Sequence, residues 1–201
     1  VRMIATALDR GGGAAVGGGE NGQSPWSRAI AQYLSAHKYG NAESSDLWKS
    51  VAAQSKTLTV EMLSTWSHQV GFPLVTVGES VEVNGPVSLS QSRFYNNEDP
   101  VAGGDPTRWW IPLTYVIYKK DLTPNGKMVD VSAGGECRMD SDETTTCSIE
   151  VDEKTECLKL NLNTDVFVRV QYSKNQWQCL LSTFHRLPTD DRSGLIDDVF
   201  Y

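Results

Sequence analysis

The chain has 201 residues, of which 39% are hydrophobic and 21% are charged, and its formal net charge is −7. No run approaches the roughly 18 consecutive apolar residues that span a membrane, and an acidic chain lacks the excess of Lys and Arg that neutralises nucleic-acid phosphates. These features exclude a membrane segment and a general nucleic-acid surface in this chain. The length predicts one large domain, or one small domain with part of another, and the mid-helix opening without Met predicts a longer parent protein.

The first 70 residues predict a small all-α unit. Three helix starts carry capping signals: Ser24 followed by proline, Ser44 or Ser45, and Thr59. Apolar residues recur at helical spacing and are expected to face inward: Val1, Ile4, Ala5 and Leu8, then Trp26, Ile30, Tyr33 and Leu34, then Leu47, Trp48 and Val51, and finally Val60, Leu63, Trp66 and Val70.

A glycine-rich segment, GGGAAVGGGENGQ, joins the first two predicted helices. Residues 17–22 match the dinucleotide-binding pattern G-x-G-x-x-G, but that pattern functions only after a buried strand and before a helix N-terminus. Here a helix precedes it. We therefore interpret the segment as a flexible connector and not as a phosphate loop.

At Gly71-Phe72-Pro73 the pattern changes from helical spacing to strand alternation. Turn signals at Asn84-Gly85 and at residues 124–126 separate short alternating runs. About seven strands are predicted, in LVTVGESVEV, VSLSQSRF, WWIPLTYVIY, KMVDVS, TCSIEV, CLKLNL and VFVRVQY, a number typical of an antiparallel β-sandwich.

The acidic connection over residues 140–156 is predicted to be a solvated hairpin. Asp140 and Asp142 resemble the start of a calcium loop, but Thr145 and Val151 occupy the positions of the required glycine and bidentate glutamate. We therefore reject an EF-hand.

Helical spacing returns after Trp177. Thr189 and Asp190 are candidate caps for a final helix. Its apolar residues are Leu195, Ile196, Val199 and Phe200.

The four cysteines, Cys137, Cys147, Cys157 and Cys179, have nine, nine and twenty-one residues between them. None forms the close Cys-x-x-Cys pair of a zinc knuckle. The pattern favours free thiols on strands, with cross-strand disulfides as the alternative, and leaves the redox compartment open.

The histidines, His37, His68 and His185, form neither a His-x-x-x-His nor a Glu-x-x-His pattern, so no helix face is expected to present two imidazoles to a metal. We expect each on a helix surface or in a C-terminal turn, with His37 and His68 in last turns, where a partly protonated imidazole complements the helix dipole. Cys179 and His185, six residues apart, are weak evidence for a thiol catalyst, and we do not favour that hypothesis. The tryptophans are expected to pack in the core or between domains.

A series of short motifs follows in order along nearly the whole chain. They lie at residues 33–34, 37–41, 46–48, 62–66, 71–77, 89–94, 110–115, 158–162, 169–172 and 187–200. Together these motifs resemble the zinc aminopeptidases of the gluzincin class, of the aminopeptidase N and puromycin-sensitive type.

This resemblance implies a multidomain α+β fold. In that family a thermolysin-like peptidase domain is followed by an antiparallel β-sandwich and then by a large helical domain. The resemblance makes residues 1–70 the C-terminal helices of the peptidase domain, residues 71–181 the β-sandwich, and residues 182–201 the start of the helical domain.

The resemblance also implies a parent enzyme that releases N-terminal amino acids from peptides with zinc-activated water. Neither His-Glu-x-x-His nor Gly-x-Met-Glu-Asn occurs in the sequence, so we expect no catalytic, cofactor-binding or metal residue in this chain. Tyr33, Tyr39 and Tyr115 fall in structural motifs and are not candidates. Zinc and peptide substrates are expected only in the parent, and a cytoplasmic location is expected, with a membrane-anchored parent as the alternative.

A second interpretation is a protein-binding module without enzymatic activity. Residues 71–185 carry ten basic and sixteen acidic side chains, whereas residues 1–70 carry six basic and five acidic ones. An acidic β-sandwich of this kind suits a basic partner.

Overall fold

The computed structural model describes residues 1–11, 23–78, 87–95, 105–119, 133–139, 147–149 and 155–199. The chain divides into two compact units, Val1–Val70 and Gly71–Tyr201. The described residues form a mixed α+β structure of six α-helices and seven strands. In chain order these are α1 (Arg2–Gly11), α2 (Pro25–Ala36), α3 (Ser44–Ala52), α4 (Val60–His68), β1 (Pro73–Val77), β2 (Val87–Arg93), β3 (Ile111–Lys119), β4 (Ala133–Met139), β5 (Cys147–Ile149), β6 (Thr155–Leu160), β7 (Arg169–Gln171), α5 (Lys174–Thr183) and α6 (Thr189–Val199).

Several sequence predictions fall outside the described residues. They are the possible phosphate loop at residues 17–22, the turns at residues 84–85 and 124–126, the strand KMVDVS, the carboxylates Asp140 and Asp142, and the place of Phe200 in the last helix. The assignment of residues 1–70, 71–181 and 182–201 to three domains of an aminopeptidase stays a prediction.

Helices α2 to α4 begin at side chains that satisfy their first amide groups. Ser24 accepts a hydrogen bond from the backbone N–H of Ser27, and Thr59 accepts one from that of Met62, as the capping signals predicted. Helix α3 begins at Ser44 with a capping box that includes its N-cap residue Glu43. The predicted helix starts at Ser24, Ser44 and Thr59 are therefore confirmed.

Small and apolar side chains form the core of this first unit. Its buried hydrophobic residues are Met3, Ile4, Leu8, Ala29, Trp48, Val51, Leu58 and Leu63. The inward positions predicted for Val1, Leu34 and Val70 are wrong, because all three are exposed. Val1 and Val70 lie beyond the helix ends, and Leu34 lies about 140° around α2 from buried Ala29, whose small side chain sets the inward face.

The second unit contains two sheets. One has the strand order β5-β2-β1-β7 and the other has the order β4-β3-β6. The first sheet is mixed, because β1 pairs with β7 in parallel, whereas the other described pairings are antiparallel. The packing of the two sheets as a sandwich stays a prediction.

The side-chain amide of Gln91 joins β2 to the segment that leads into β3. Gln91 Nε2 donates to Trp109 O, and Trp109 N donates to Gln91 Oε1, each at 2.9 Å. Trp109 and Trp110 are fully buried, which agrees with the predicted core role of these tryptophans.

Strand β4 was not predicted, because Gly134 and Gly135 disfavour a strand in isolation. The strand forms through pairing with β3.

The expectation of free thiols is wrong. Cys157 and Cys179 form a disulfide with a Cα–Cα distance of 5.7 Å, and Cys137 is also disulfide-bonded. The Cys157–Cys179 bond joins strand β6 to helix α5, so it is not the cross-strand type considered as the alternative. Its two residues are 22 positions apart and meet only after α5 has packed on β6. Cys179 is therefore not a free nucleophile.

The last two helices also differ from prediction. Helix α5 begins at Lys174, before the predicted start, because Ser173 caps it. On α6 the apolar residue Leu195 is buried, whereas Ile196 and Val199 are exposed. The positions that α6 buries in their place include two carboxylates, Asp191 and Asp198.

Gly71 has a φ of +96°, a conformation in which an added Cβ is strained and here would lie 2.8 Å from Arg93 Nε. We expect Gly71→Ala to lower the free energy of unfolding of its unit by about 1–2 kcal/mol. Gly40→Ala is the matched control, since its Cβ would meet nothing closer than 3.7 Å. Urea denaturation of both variants checks this, and equal effects would contradict it.

Candidate functional site

The inward face of helix α6 is polar. Asp191, Gly194, Leu195 and Asp198 are buried, and their spacing places them on one side of the helix. Burying two carboxylates is costly unless each meets donors or a positive charge. The residues that supply those partners define the candidate functional site.

The positive charge comes from Lys159 of strand β6, whose side chain is only 1% exposed. Its ammonium group donates to the carbonyl of Leu160, lies 3.4 Å from the carbonyl oxygen of Asn161, and lies 3.7 Å from Asp191 Oδ1. A lysine can be buried on this strand because residues 157–160 are all buried, so neither face of β6 reaches water.

A tight turn after β6 supplies a second donor to Asp191. The backbone N–H of Asn163 donates to Asp191 Oδ1 at 2.7 Å. Asn161, Asn163 and Thr164 all have positive φ values between 50° and 56°, which costs an L-residue roughly 1 kcal/mol or more each. Gly194 of α6 fits against this turn, because a Cβ there would collide with Thr164 Cγ2. The strained turn and the helix are therefore matched in shape.

The second carboxylate, Asp198, connects α6 to strand β7. Its Oδ1 accepts a hydrogen bond from the backbone N–H of Val170 at 2.9 Å. Burial raises the pKa of Asp198 to about 6, while that hydrogen bond and the charges of Lys159 and Arg169 oppose the rise. Asp197 next to it adds a smaller rise. These two positive charges and the hydrogen bond compensate Asp198 only in part, because burial still dominates its pKa.

Tyr172 completes the buried cluster. Its hydroxyl accepts from the backbone N–H of Leu160 at 3.0 Å, and burial raises its pKa well above the usual range. Burial also lowers the pKa of Lys159, although Asp191 and Asp198 counteract this. We call Lys159, Asn161, Tyr172, Asp191 and Asp198 the α6 anchor.

The α6 anchor is suited to positioning and not to catalysis. Lys159 and Asp191 are almost completely buried, and the groups around them are paired with one another. No substrate atom could reach these side chains without moving α6. None of the five residues was predicted from sequence. The sequence did contain a signal for this cluster. Lys159 interrupts an apolar strand, and the final helix carries two Asp-Asp pairs, at residues 190–191 and 197–198.

The histidines named from sequence lie at helix ends. His68 is in the last turn of α4, His37 is the residue after α2, and His185 lies in the 3₁₀ turn Phe184–Arg186. His37 lines a shallow groove of about 440 Å³, together with Tyr33, Leu34 and residues 40–42. The side chain of Tyr39 is almost fully exposed, and Tyr115 lies on β3.

Zinc, which the resemblance implies for a longer enzyme, does not fit the residues described. Within these ranges no group of three or more His, Cys, Asp or Glu side chains comes together as a metal site. Asp191, the most buried carboxylate in the α6 anchor, already faces a lysine ammonium group at 3.7 Å. We therefore derive no chemistry through a metal here.

A separate polar cluster stabilises the connection from β2 to β3. The Asp105 carboxylate accepts hydrogen bonds from Thr107 N at 2.8 Å and from the Tyr95 hydroxyl, and Arg93 Nη1 lies 3.5 Å away. The hydrogen bonds from Thr107 and Tyr95 hold the pKa of Asp105 well below its usual value. These partly buried side chains join the residues that follow β2 to those that precede β3.

Comparison with known proteins gives a consistent group of relatives, although no family model matches the chain. The chain is 29% identical over 179 residues to tricorn protease-interacting factor F2 of Thermoplasma volcanium, covering 89% of the chain and 19% of that protein. It is 30% identical over 177 residues to the puromycin-sensitive aminopeptidase of Caenorhabditis elegans, covering 86% and 17%. It is 26% identical over 193 residues to the human thyrotropin-releasing hormone-degrading ectoenzyme, covering 89% and 17%. The chain thus spans about a fifth of the length of these relatives.

The α6 anchor predicts that Lys159 contributes far more to stability than a surface lysine. Lys159→Met leaves Asp191 buried without its charge partner, and we expect a loss of about 3–5 kcal/mol. The control is Lys49→Met, which breaks a shorter 3.0 Å pair with Asp46 but at a side chain that is 65% exposed. Its expected loss is below about 1 kcal/mol. Urea denaturation of each unit compares the two, and similar losses would contradict the prediction.

The raised pKa of Asp198 predicts a pH-dependent effect of Asp198→Asn. Because the folded protein holds this proton more tightly than the unfolded chain does, the stabilisation is present at low pH and is lost as the pH rises through about 6. Asn imitates the protonated acid, so the variant should be more stable than the wild type by about 1–3 kcal/mol at pH 7.5. The difference should shrink at pH 5. A difference that is independent of pH in urea denaturation would refute this.

Proposed function

This chain belongs to the aminopeptidase family of the relatives that it matches, and we propose that it is a non-catalytic part of a zinc-dependent enzyme that releases N-terminal amino acids from peptides. In this proposal the chain is structural. It links the peptidase domain, whose last helices are residues 1–70, to a helical domain that begins at residues 182–201.

The proposal rests on one combination: the chain belongs to the family but lacks the family's zinc-binding and substrate-binding motifs. Similarity extends over 86–89% of the chain, yet the sequence contains no His-Glu-x-x-His and no Gly-x-Met-Glu-Asn. A zinc peptidase needs an open metal site with three protein ligands and a bound water. We infer that those groups belong to other parts of the longer enzyme.

The α6 anchor supports the linking role. A helix that only covered a sheet would be expected to present an apolar face, but α6 presents two carboxylates to Lys159 and to the N–H of Val170. Such pairing fixes the position of the helix along the strands as well as its contact with them. A helical domain that continued from α6 would inherit this orientation relative to residues 71–181, which we propose form the β-sandwich.

Zinc and peptide substrates enter the proposal only through the longer enzyme. There, zinc would supply a metal-activated water for attack on the first peptide bond. This chain's residues would hold domains in place and would not touch the substrate.

The cellular location predicted from sequence was cytoplasmic. One of the relatives is named an ectoenzyme, so similarity alone does not favour that location. Among the described residues, no helix is long and apolar enough to cross a membrane.

The purified chain is expected to be inactive. We predict no release of fluorophore from aminoacyl-amide substrates above the blank, and no stoichiometric zinc after dialysis against a zinc-containing buffer. The full-length Caenorhabditis elegans relative serves as the positive control for the assay. Substrate turnover together with one tightly bound zinc per chain, measured by atomic absorption, would overturn the proposal.

A further inference from the structure

A covalent bond supplements the packing of helix α5 on strand β6. Cys157 of β6 is completely buried, and Cys179 of α5 is partly exposed. Their Cα–Cα distance of 5.7 Å lies within the range of unstrained disulfides. Beside this bond, Gln176 Oε1 accepts from the N–H of Leu158 at 3.1 Å, and Leu180 is fully buried. The bond therefore joins surfaces that already fit each other.

The second observation is independent of α5. Cys137 lies on β4, is buried, and is disulfide-bonded as well. The three cysteines whose side chains the structure describes, Cys137, Cys157 and Cys179, are thus all oxidised. Persistent structural disulfides are typical of secreted proteins and of the secretory lumen, whereas the cytosol keeps thiols reduced.

We propose that this chain matures and acts in an oxidising compartment outside the cytosol, where the Cys157–Cys179 disulfide forms as a permanent bond between β6 and α5. This inference replaces the cytoplasmic location expected from sequence. It does not depend on the proposed aminopeptidase role.

The bond forms by two thiol–disulfide exchange steps. The thiolate of one cysteine attacks an oxidant of the glutathione-disulfide or protein-disulfide class and forms a mixed disulfide. The thiolate of the second cysteine then displaces the oxidant and closes the Cys157–Cys179 bond. Each step releases one sulfur of the oxidant as a thiolate, which takes up a proton lost by a cysteine, so the oxidant ends as two thiols that carry both electrons.

The same geometry makes the bond a permanent one and not a switch. An attacking thiolate can approach the sulfur of Cys179, which is partly exposed, but that attack must expel the thiolate of completely buried Cys157. Releasing a charge into a buried site is unfavourable, so reduction of the folded chain should be slow.

The direct test is thiol trapping of the protein from the cells that produce it. Cells are lysed in N-ethylmaleimide, and tryptic peptides are mapped by mass spectrometry before and after reduction. We expect the peptides that contain Cys157 and Cys179 to be recovered linked and unalkylated. Recovery of both cysteines as alkylated thiols would overturn the proposal, and this readout requires no variant to fold.

A second test concerns the permanence of the bond. The double variant Cys157→Ala/Cys179→Ala keeps the disulfide of Cys137. The change in its melting temperature on reduction therefore measures the contribution of bonds other than Cys157–Cys179. We expect full reduction to lower the melting temperature of the wild type by about 5–10 °C more than that of the variant. In native buffer, the wild-type bond should resist glutathione for hours. Equal temperature shifts, or rapid reduction without unfolding, would refute the permanent bond.

Discussion

The position of helix α6 depends on one interaction, the buried ion pair between Lys159 of strand β6 and Asp191 of α6. Removing Lys159 and Asp191 from water costs several kcal/mol for each ion, and their attraction offsets this only when further hydrogen bonds satisfy both groups. Here the carbonyls of Leu160 and Asn161 face the ammonium group, and the N–H of Asn163 reaches the carboxylate. The pair is therefore less a source of net stability than a constraint on position, since a helix shifted by one turn would separate the two buried charges.

Other features of the second unit are consistent with that constraint. The left-handed turn at residues 161–164 places an N–H on Asp191, and the absence of a side chain at Gly194 leaves room for Thr164. On the same strand, Cys157 attaches α5 covalently. Strand β6 thus carries both helices, one by a disulfide and the other by charge. In the proposed enzyme, this arrangement would transmit the orientation of the sheets to the segment that follows α6.

Sequence patterns predicted the parts of the fold that depend on interactions between residues close in sequence. The caps at Ser24 and Thr59 and the alternation that defines β1 and β2 required no knowledge of distant partners. Strand β4, the Cys157–Cys179 bond and the α6 anchor were missed because each depends on contacts between residues far apart in sequence. A lysine in CLKLNL is normally assigned to a solvent-facing position, and only burial on both faces of β6 makes Lys159 an internal ion. The family resemblance was found from the order of the motifs, and the relatives confirm it.

We infer that charge pairing makes α6 part of the same cooperative unit as β6 and β7. Native-state hydrogen exchange of the intact chain tests this most directly, because it measures the opening free energy of each amide. We predict that the inner amides of α6 and the amide of Val170, which donates to Asp198, share one opening free energy close to that of β6. Exchange of the α6 amides through a local opening several kcal/mol lower than that of β6 would contradict the account.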